Sequence, residues 1–202
     1  MELRPSRREL VAGALAAAGA AAGAGLGFAS GSPAWADSPP PSDADLLSKT
    51  LEVERLMVVA YERVLASGTL SPGVQRAITP FLDQERAHVS AVASQLTRLG
   101  AAAPTAPLSV KAASDALGQH NVSGSLTALR SEHDCLKLLV DLESVAEGAS
   151  YTPIRDLREP GLVQLCARIM ACEAQHWTVL SGLRNPGQYV KAIPWPYVFG
   201  TK

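Results

Sequence analysis

Two Glu-x-x-His tetrads, Glu85-Arg86-Ala87-His88 and Glu173-Ala174-Gln175-His176, stand 88 residues apart in this chain. On a helix, residues three apart share a face about one turn from each other, so each Glu and its His can aim at one point. Both tetrads sit in rows of apolar residues at steps of three and four. One row is Val74, Ile78, Phe81, Glu85, His88, Val92 and Leu96; the other is Leu162, Leu165, Ile169, Glu173, His176 and Leu180. Such a row is the buried face of an amphipathic helix. Ionisable groups on that face must be paired, hydrogen-bonded or bound to metal.

Each tetrad is preceded by another glutamate in a similar setting. Glu54 lies in the row Leu47, Leu51, Glu54, Val58, Tyr61 and Leu65, while Glu143 follows Leu129, Leu136, Leu139 and Val140. Glu147, one turn beyond Glu143, is the alternative to it. Glu54 precedes Glu85 by 31 residues and Glu143 precedes Glu173 by 30. Pro72-Gly73 and Pro160-Gly161 repeat at the same 88-residue offset, and Tyr61 and Tyr151 at 90. Two helix–turn–helix units related by a pseudo-twofold would each supply one Glu and one Glu-x-x-His. That is the ligand pattern of di-iron and di-manganese carboxylate bundles. The plain alternative for each His is a core histidine satisfied by its own Glu three residues earlier. The six positions together favour metal. Tyr61 and Tyr151 lie about two turns from Glu54 and Glu143, where a phenol can give a hydrogen bond or an electron; Tyr61 is the catalytic candidate. Simple core packing is the competing reading for both.

The same pattern predicts an all-α, antiparallel four-helix bundle over residues 44–185. The first helix runs from Asp45 to about Ser67, after helix-start chemistry at Ser42 to Asp45. The second starts with Ser71 as N-cap and Pro72 at the first helical position and stops at Gly100. Residues 101–125, with Pro104, Pro107, Gly118 and Gly124, are too long for a hairpin loop. They predict a long crossover between helices 2 and 3, with a short helix near Val110 to Leu117. Helix three is expected from about Ser125 to Ser150, with Pro153 in the connection, and helix four from Pro160-Gly161 to about Leu183. Residues 186–202 form a Pro/aromatic tail, whose stretch from Ala192 to Phe199 is expected to be non-helical and to pack over the bundle.

Ahead of the bundle, residues 1–36 read as a signal peptide. Arg7-Arg8 is followed by an Ala/Gly/Leu run to about Ala29 and then Ala34-Trp35-Ala36, a small-residue cleavage site. The paired arginines and weak hydrophobicity predict twin-arginine export, giving a secreted, cell-envelope or periplasmic protein with no membrane association after cleavage. Residues 37–43 are a linker. With 18 Lys and Arg against 19 Asp and Glu, no basic excess suggests nucleic acid. Cys135, Cys166 and Cys172 are odd in number and lack Cys-x-x-Cys spacing, so they read as small core residues.

Through Leu51 to Leu65 with Glu54 and Tyr61, Phe81 to Leu99 with Glu85 and His88, Leu142 to Tyr151 with Glu143, and Ile169 to Leu183 with Glu173 and His176, the chain resembles the ferritin-like superfamily. More narrowly, it is similar to exported bacterial ferritin-like domain proteins of the desiccation-related type. The resemblance covers residues 43 to 190. It implies a four-helix bundle with a dinuclear carboxylate site. Glu54 and Glu143 would be the single-helix carboxylates, Glu85 and Glu173 the bridges, and His88 and His176 one ligand to each metal. The donors, carboxylate oxygen and imidazole nitrogen, suit two Fe ions or alternatively Mn. The expected function is oxidation of Fe(II) or reaction with O2 or peroxide. The alternatives are a non-catalytic metal-binding or stress protein and a manganese catalase-like enzyme. A homodimer is a possible assembly.

Overall fold

The computed structural model describes residues 40–104 and 107–192. The segment read as a signal peptide with its cleavage site, and the tail beyond residue 192, lie outside the described residues. Within them the fold is all-α. Its helices are α1 (Asp43–Leu65), α2 (Pro72–Arg98), α3 (Val110–Gln119), α4 (Glu132–Ile154) and α5 (Pro160–Arg184), followed by a short 3-10 turn, Tyr189–Ala192. None of the described helices is long and apolar enough to cross a membrane.

Four of the helices make the bundle. α1 packs on α2 and α4, and α5 packs on α4 and α2. Residues 66–71 and 155–159 join the two sequential pairs, and the long crossover carries α3 back against α1. α1 is therefore covered on two sides, and its buried positions run wider than one stripe, through Val53, Leu56, Met57, Val59 and Ala60. α2 keeps the narrow row its sequence predicts: Val74, Ile78, Glu85, Val92 and Leu96 are its buried residues.

Local chemistry sets the helix ends. Ser42 and Asp45 form a capping box: Ser42 N–H donates to Asp45 Oδ2 at 2.9 Å, and Asp45 N–H to Ser42 Oγ at 3.1 Å. Asp43 also accepts from the N–H groups of Arg158 and Glu159, at 3.1 and 3.2 Å, which ties the start of α1 to the start of α5. At the far end of α2, Gly100 has φ +74°, and Ala101 N–H returns to Leu96 O at 2.9 Å. That left-handed residue closes the helix and needs glycine's freedom.

Two expectations for the third bundle helix require correction. It begins at Glu132 rather than near Ser125, because Ser131 is the cap and accepts from Asp134 N–H. The preceding segment is held instead by burial of Leu126 and by Arg63 Nε donating to Leu126 O at 3.1 Å. The helix also runs through Pro153 to Ile154. A proline lacks the N–H that would bond the carbonyl four residues back. Thr50 Oγ1 of α1 donates to that carbonyl, Ala149 O, at 3.1 Å. Tyr189–Ala192 is a 3-10 turn packed on α5; the tail stretch expected to be non-helical lies beyond it, almost wholly outside the described residues.

The apolar core divides into two clusters. One contains Val64, Ile78, Leu136, Leu139 and Leu180; the other contains Leu47, Leu51, Leu96, Leu162 and Ile169. Along α1, α2 and α5 the glutamates fall where one cluster gives way to the other. Glu54 separates Leu51 from Met57, Glu85 and His88 separate Ile78 from Val92, and Glu173 and His176 separate Ile169 from Leu180. A single polar layer thus crosses an otherwise apolar bundle.

Candidate metal centre

The row on each helix delivers its ionisable group to that layer. Glu54, Glu85, Glu143 and Glu173 are each 0% exposed, and His176 is 1% exposed. His88 is slightly more open. All six residues expected from the sequence come together.

They form two overlapping sets. Glu54, Glu85, His88 and Glu173 make one; Glu85, Glu143, Glu173 and His176 make the other, and within each the ligand atoms lie within 4.8 Å of one another. His88 Nδ1 is 2.9 Å from Glu173 Oε1, 3.3 Å from Glu54 Oε2 and 3.5 Å from Glu85 Oε2. His176 Nδ1 is 3.0 Å from Glu85 Oε1, 3.3 Å from Glu173 Oε2 and 3.5 Å from Glu143 Oε1. Glu85 and Glu173 therefore each turn one oxygen to one imidazole and the second oxygen to the other. Glu54 meets only His88, and Glu143 only His176.

The donor set fits metal by a further test. Both oxygens of Glu54, Glu85 and Glu173, Oε2 of Glu143 and both Nδ1 atoms are buried without a hydrogen bond of proper geometry. Buried polar atoms are rarely left so. Here nine of them converge on two points. Oxygen and imidazole nitrogen are the donors that Fe and Mn accept. These sets can hold metal ions.

The electrostatics agree. Burial pushes Glu54 up to about 8, although His88 pulls against it. Burial likewise holds Glu143 well above the usual carboxylate range. Glu173 feels the same burial, but the approach of His176 and His88 outweighs it and holds the group at about 2. Burial disfavours charge on both imidazoles, yet the Cys172 thiol and the surrounding carboxylates outweigh it and raise both far above their ordinary value. A cluster of this kind binds protons where it does not bind cations, so metal binding must release protons.

Around this core the structure sorts the remaining candidates. Tyr61 is fully buried and its OH donates to Glu143 Oε1. Burial and then the Glu143 charge raise its pKa well above the ordinary phenol value. Its expected counterpart fails: Tyr151 is 39% exposed. Tyr61 follows Glu54 by seven residues, two helical turns, whereas Tyr151 follows Glu143 by eight, a further 100° around the helix. Ser150 holds the inward position instead and is fully buried. Between the two helix-three carboxylates, Glu143 joins the cluster and Glu147 does not. Glu147 is half-buried and is raised by burial and then by Glu173.

Two neighbours were not legible as site residues. Gln84 Oε1 lies 2.5 Å from His176 Nε2, and Cys172 Sγ lies 3.5 Å from the same nitrogen. Cys172, expected as a core residue, is half-buried at the edge of the site. Burial would raise its thiol, but His176 and His88 outweigh it and bring it down to about 7. Each of these residues immediately precedes the Glu of a tetrad; Cys172 stands four before its partner His176, a spacing that was an available signal, whereas Gln84 reaches His176 from the other helix. Phe81 stacks on His176 with ring centroids 4.1 Å apart. Cys135 and Cys166 are buried, and all three thiols are free.

The profile of the ferritin-like domain family matches residues 42–186, the span that holds all five helices and every residue of the cluster. No curated protein and no solved structure gives a match.

Proposed function

The chain belongs to the ferritin-like domain family, and on that premise we propose that its buried cluster is a dinuclear metal centre of an exported protein that oxidises Fe(II) or reacts with O2 or peroxide. The observation that carries this reading is the shared pair: Glu85 and Glu173 each present one oxygen to each histidine. In this reading those two carboxylates would help hold both of two ions; Glu54 and His88 would be the further residues holding one, and Glu143 and His176 those holding the other. The ions are Fe, or alternatively Mn, and when bound they supply the redox chemistry toward O2 or peroxide.

The chain's own residues do the rest. Four carboxylates offset the four positive charges of two divalent ions, which makes burial of the charges affordable. The apolar clusters above and below the polar layer keep water out and strengthen every charge interaction inside it. Tyr61 OH holds its proton on Glu143 Oε1 and fixes the orientation of that carboxylate. Glu147, half-buried with its Oε1 shielded, is suited to pass cations or protons inward. The export part of the reading rests on Arg7-Arg8, the apolar run and Ala34-Trp35-Ala36. The twin-arginine route carries folded proteins, so metal loading would precede export. Cleavage after Ala36, read by N-terminal sequencing of the exported chain, tests it.

A second reading has its own support. Complete burial of all four carboxylates suits metal held for structure or sequestration, without turnover. Metal analysis of the exported protein separates the cases. About two Fe or Mn per chain are expected, lost in the Glu85→Ala/Glu173→Ala double variant. Rapid O2 or peroxide consumption by the iron form supports the redox reading. Bound metal with no turnover supports sequestration, and a manganese form that evolves O2 from peroxide supports a catalase-like enzyme. An intact fold that binds no metal overturns all three.

A further inference from the structure

The two histidines meet the carboxylates through Nδ1, and Nε2 of His176 faces away from them. His176 Nε2 lies 2.5 Å from Gln84 Oε1. An amide oxygen only accepts, so Nε2 keeps its proton and donates it. The Nδ1 of the same ring is then the nitrogen left to a metal, and it faces Glu85, Glu173 and Glu143. Stacking on Phe81, with an interplanar angle of 21°, holds the ring in that plane.

The internal repeat puts no second glutamine at the matching position. Gln84 precedes Glu85 as Cys172 precedes Glu173, at the 88-residue offset. Gln84 Oε1 from α2 and Cys172 Sγ from α5 both approach Nε2 of His176, at 2.5 and 3.5 Å. Sulfur is the weaker acceptor of the two.

Resting on the two-metal reading, we infer that Gln84 is a positioning residue that presets His176 for its ion, so that the Glu143–His176 side binds more tightly than the Glu54–His88 side. Outer partners of metal-bound histidines are worth roughly 10–100-fold in affinity. Gln84 is exposed on α2, so its replacement does not threaten the core.

The test is titration of the full mature chain with Mn(II) alone, counting bound ions by electron paramagnetic resonance. The wild-type chain should bind two ions with unequal affinities. Gln84→Leu should weaken the tighter one by about 10–100-fold and spare the other, while Gln84→Glu, which keeps an acceptor, should retain it. In the metal-free chain, a protected His176 Nε2–H resonance in nitrogen-15 spectra should be present in wild type and Gln84→Glu and absent in Gln84→Leu. Equal weakening of both ions, no weakening, or failure of Gln84→Glu to rescue overturns the inference while leaving the two-metal reading intact. A wild-type chain that binds no Mn(II) overturns both.

Discussion

The two halves of the centre share a ligand set and differ in everything around it. Each half has a histidine, a glutamate that meets that histidine alone, and one oxygen from each of Glu85 and Glu173. On the Glu143 side, Tyr61 donates to the carboxylate, Phe81 stacks on the imidazole and Gln84 holds its outer nitrogen. The His176 side chain is 2% exposed on that side. On the Glu54 side the His88 side chain is 12% exposed, and both oxygens of Glu54 lack a hydrogen bond. The internal repeat reproduces the Glu and Glu-x-x-His positions and leaves their surroundings free to differ. One half is a fixed seat; the other is nearer to solvent and less constrained.

The strongest way to break this comparison is to remove a ligand. Glu173→Ala takes an oxygen from both halves and should abolish binding of both ions. Glu54→Ala should lose one ion and keep the Glu143–His176 one. Equal loss in both variants, read by metal content at fixed protein, would show that the halves do not act separately.

The next effect is on pH. A carboxyl at 4.5 when unfolded that titrates at about 8 in the fold binds its proton more tightly in the native state. Its stabilisation is complete below about 4.5 and is lost as pH rises through about 8. Glu173, held at about 2, acts oppositely, and its contribution fades as pH falls below 4.5. Urea denaturation of the metal-free protein should therefore show stability declining between pH 5 and 8, and Glu54→Gln should flatten that decline. A stability that rises over this window would refute the protonated Glu54.

A smaller effect sharpens the Glu143 side. Tyr61→Phe keeps the packing and deletes the donor, leaving a buried carboxylate oxygen unpaired. It should cost about 1–3 kcal/mol in thermal or urea unfolding. It should also weaken the ion on that half more than the other. Thr50→Val, which removes the bond to Ala149 O, is the smallest change, at about 1 kcal/mol.

Periodicity made much of this legible. The rows through Glu85 and Glu173 are the buried faces of α2 and α5, because a helix with only one face against the core writes that face as a stripe. α1 shows the limit. α3 covers a second side of it, so Val53, Met57 and Ala60 are buried outside the row. The start of α4 is not legible because Leu129, the first residue of its apolar row, packs against the core from the loop before Ser131, where a helical pattern cannot distinguish it from a first turn. Glu143 and Glu147 both lie on the inward side of α4 in sequence, and only the rotation of that helix against α1 and α5 separates them. Gln84 and Cys172 escaped notice because their partners lie 92 and 4 residues away, across and along helices, and neither falls in an apolar row.

Pro153 has a role that reaches the centre. α1 and α4 are neighbours, yet no short turn connects them, so chain connectivity says little about how far one slides along the other. The proline strips Ala149 O of its intrahelical donor, and Thr50 claims it. That bond acts as an indexing stop between two rods. One turn of slip, about 5.4 Å, would break it and carry Glu143 away from Tyr61 and His176 together. A residue usually read as a helix breaker thus sets the depth at which the third bundle helix presents its carboxylate.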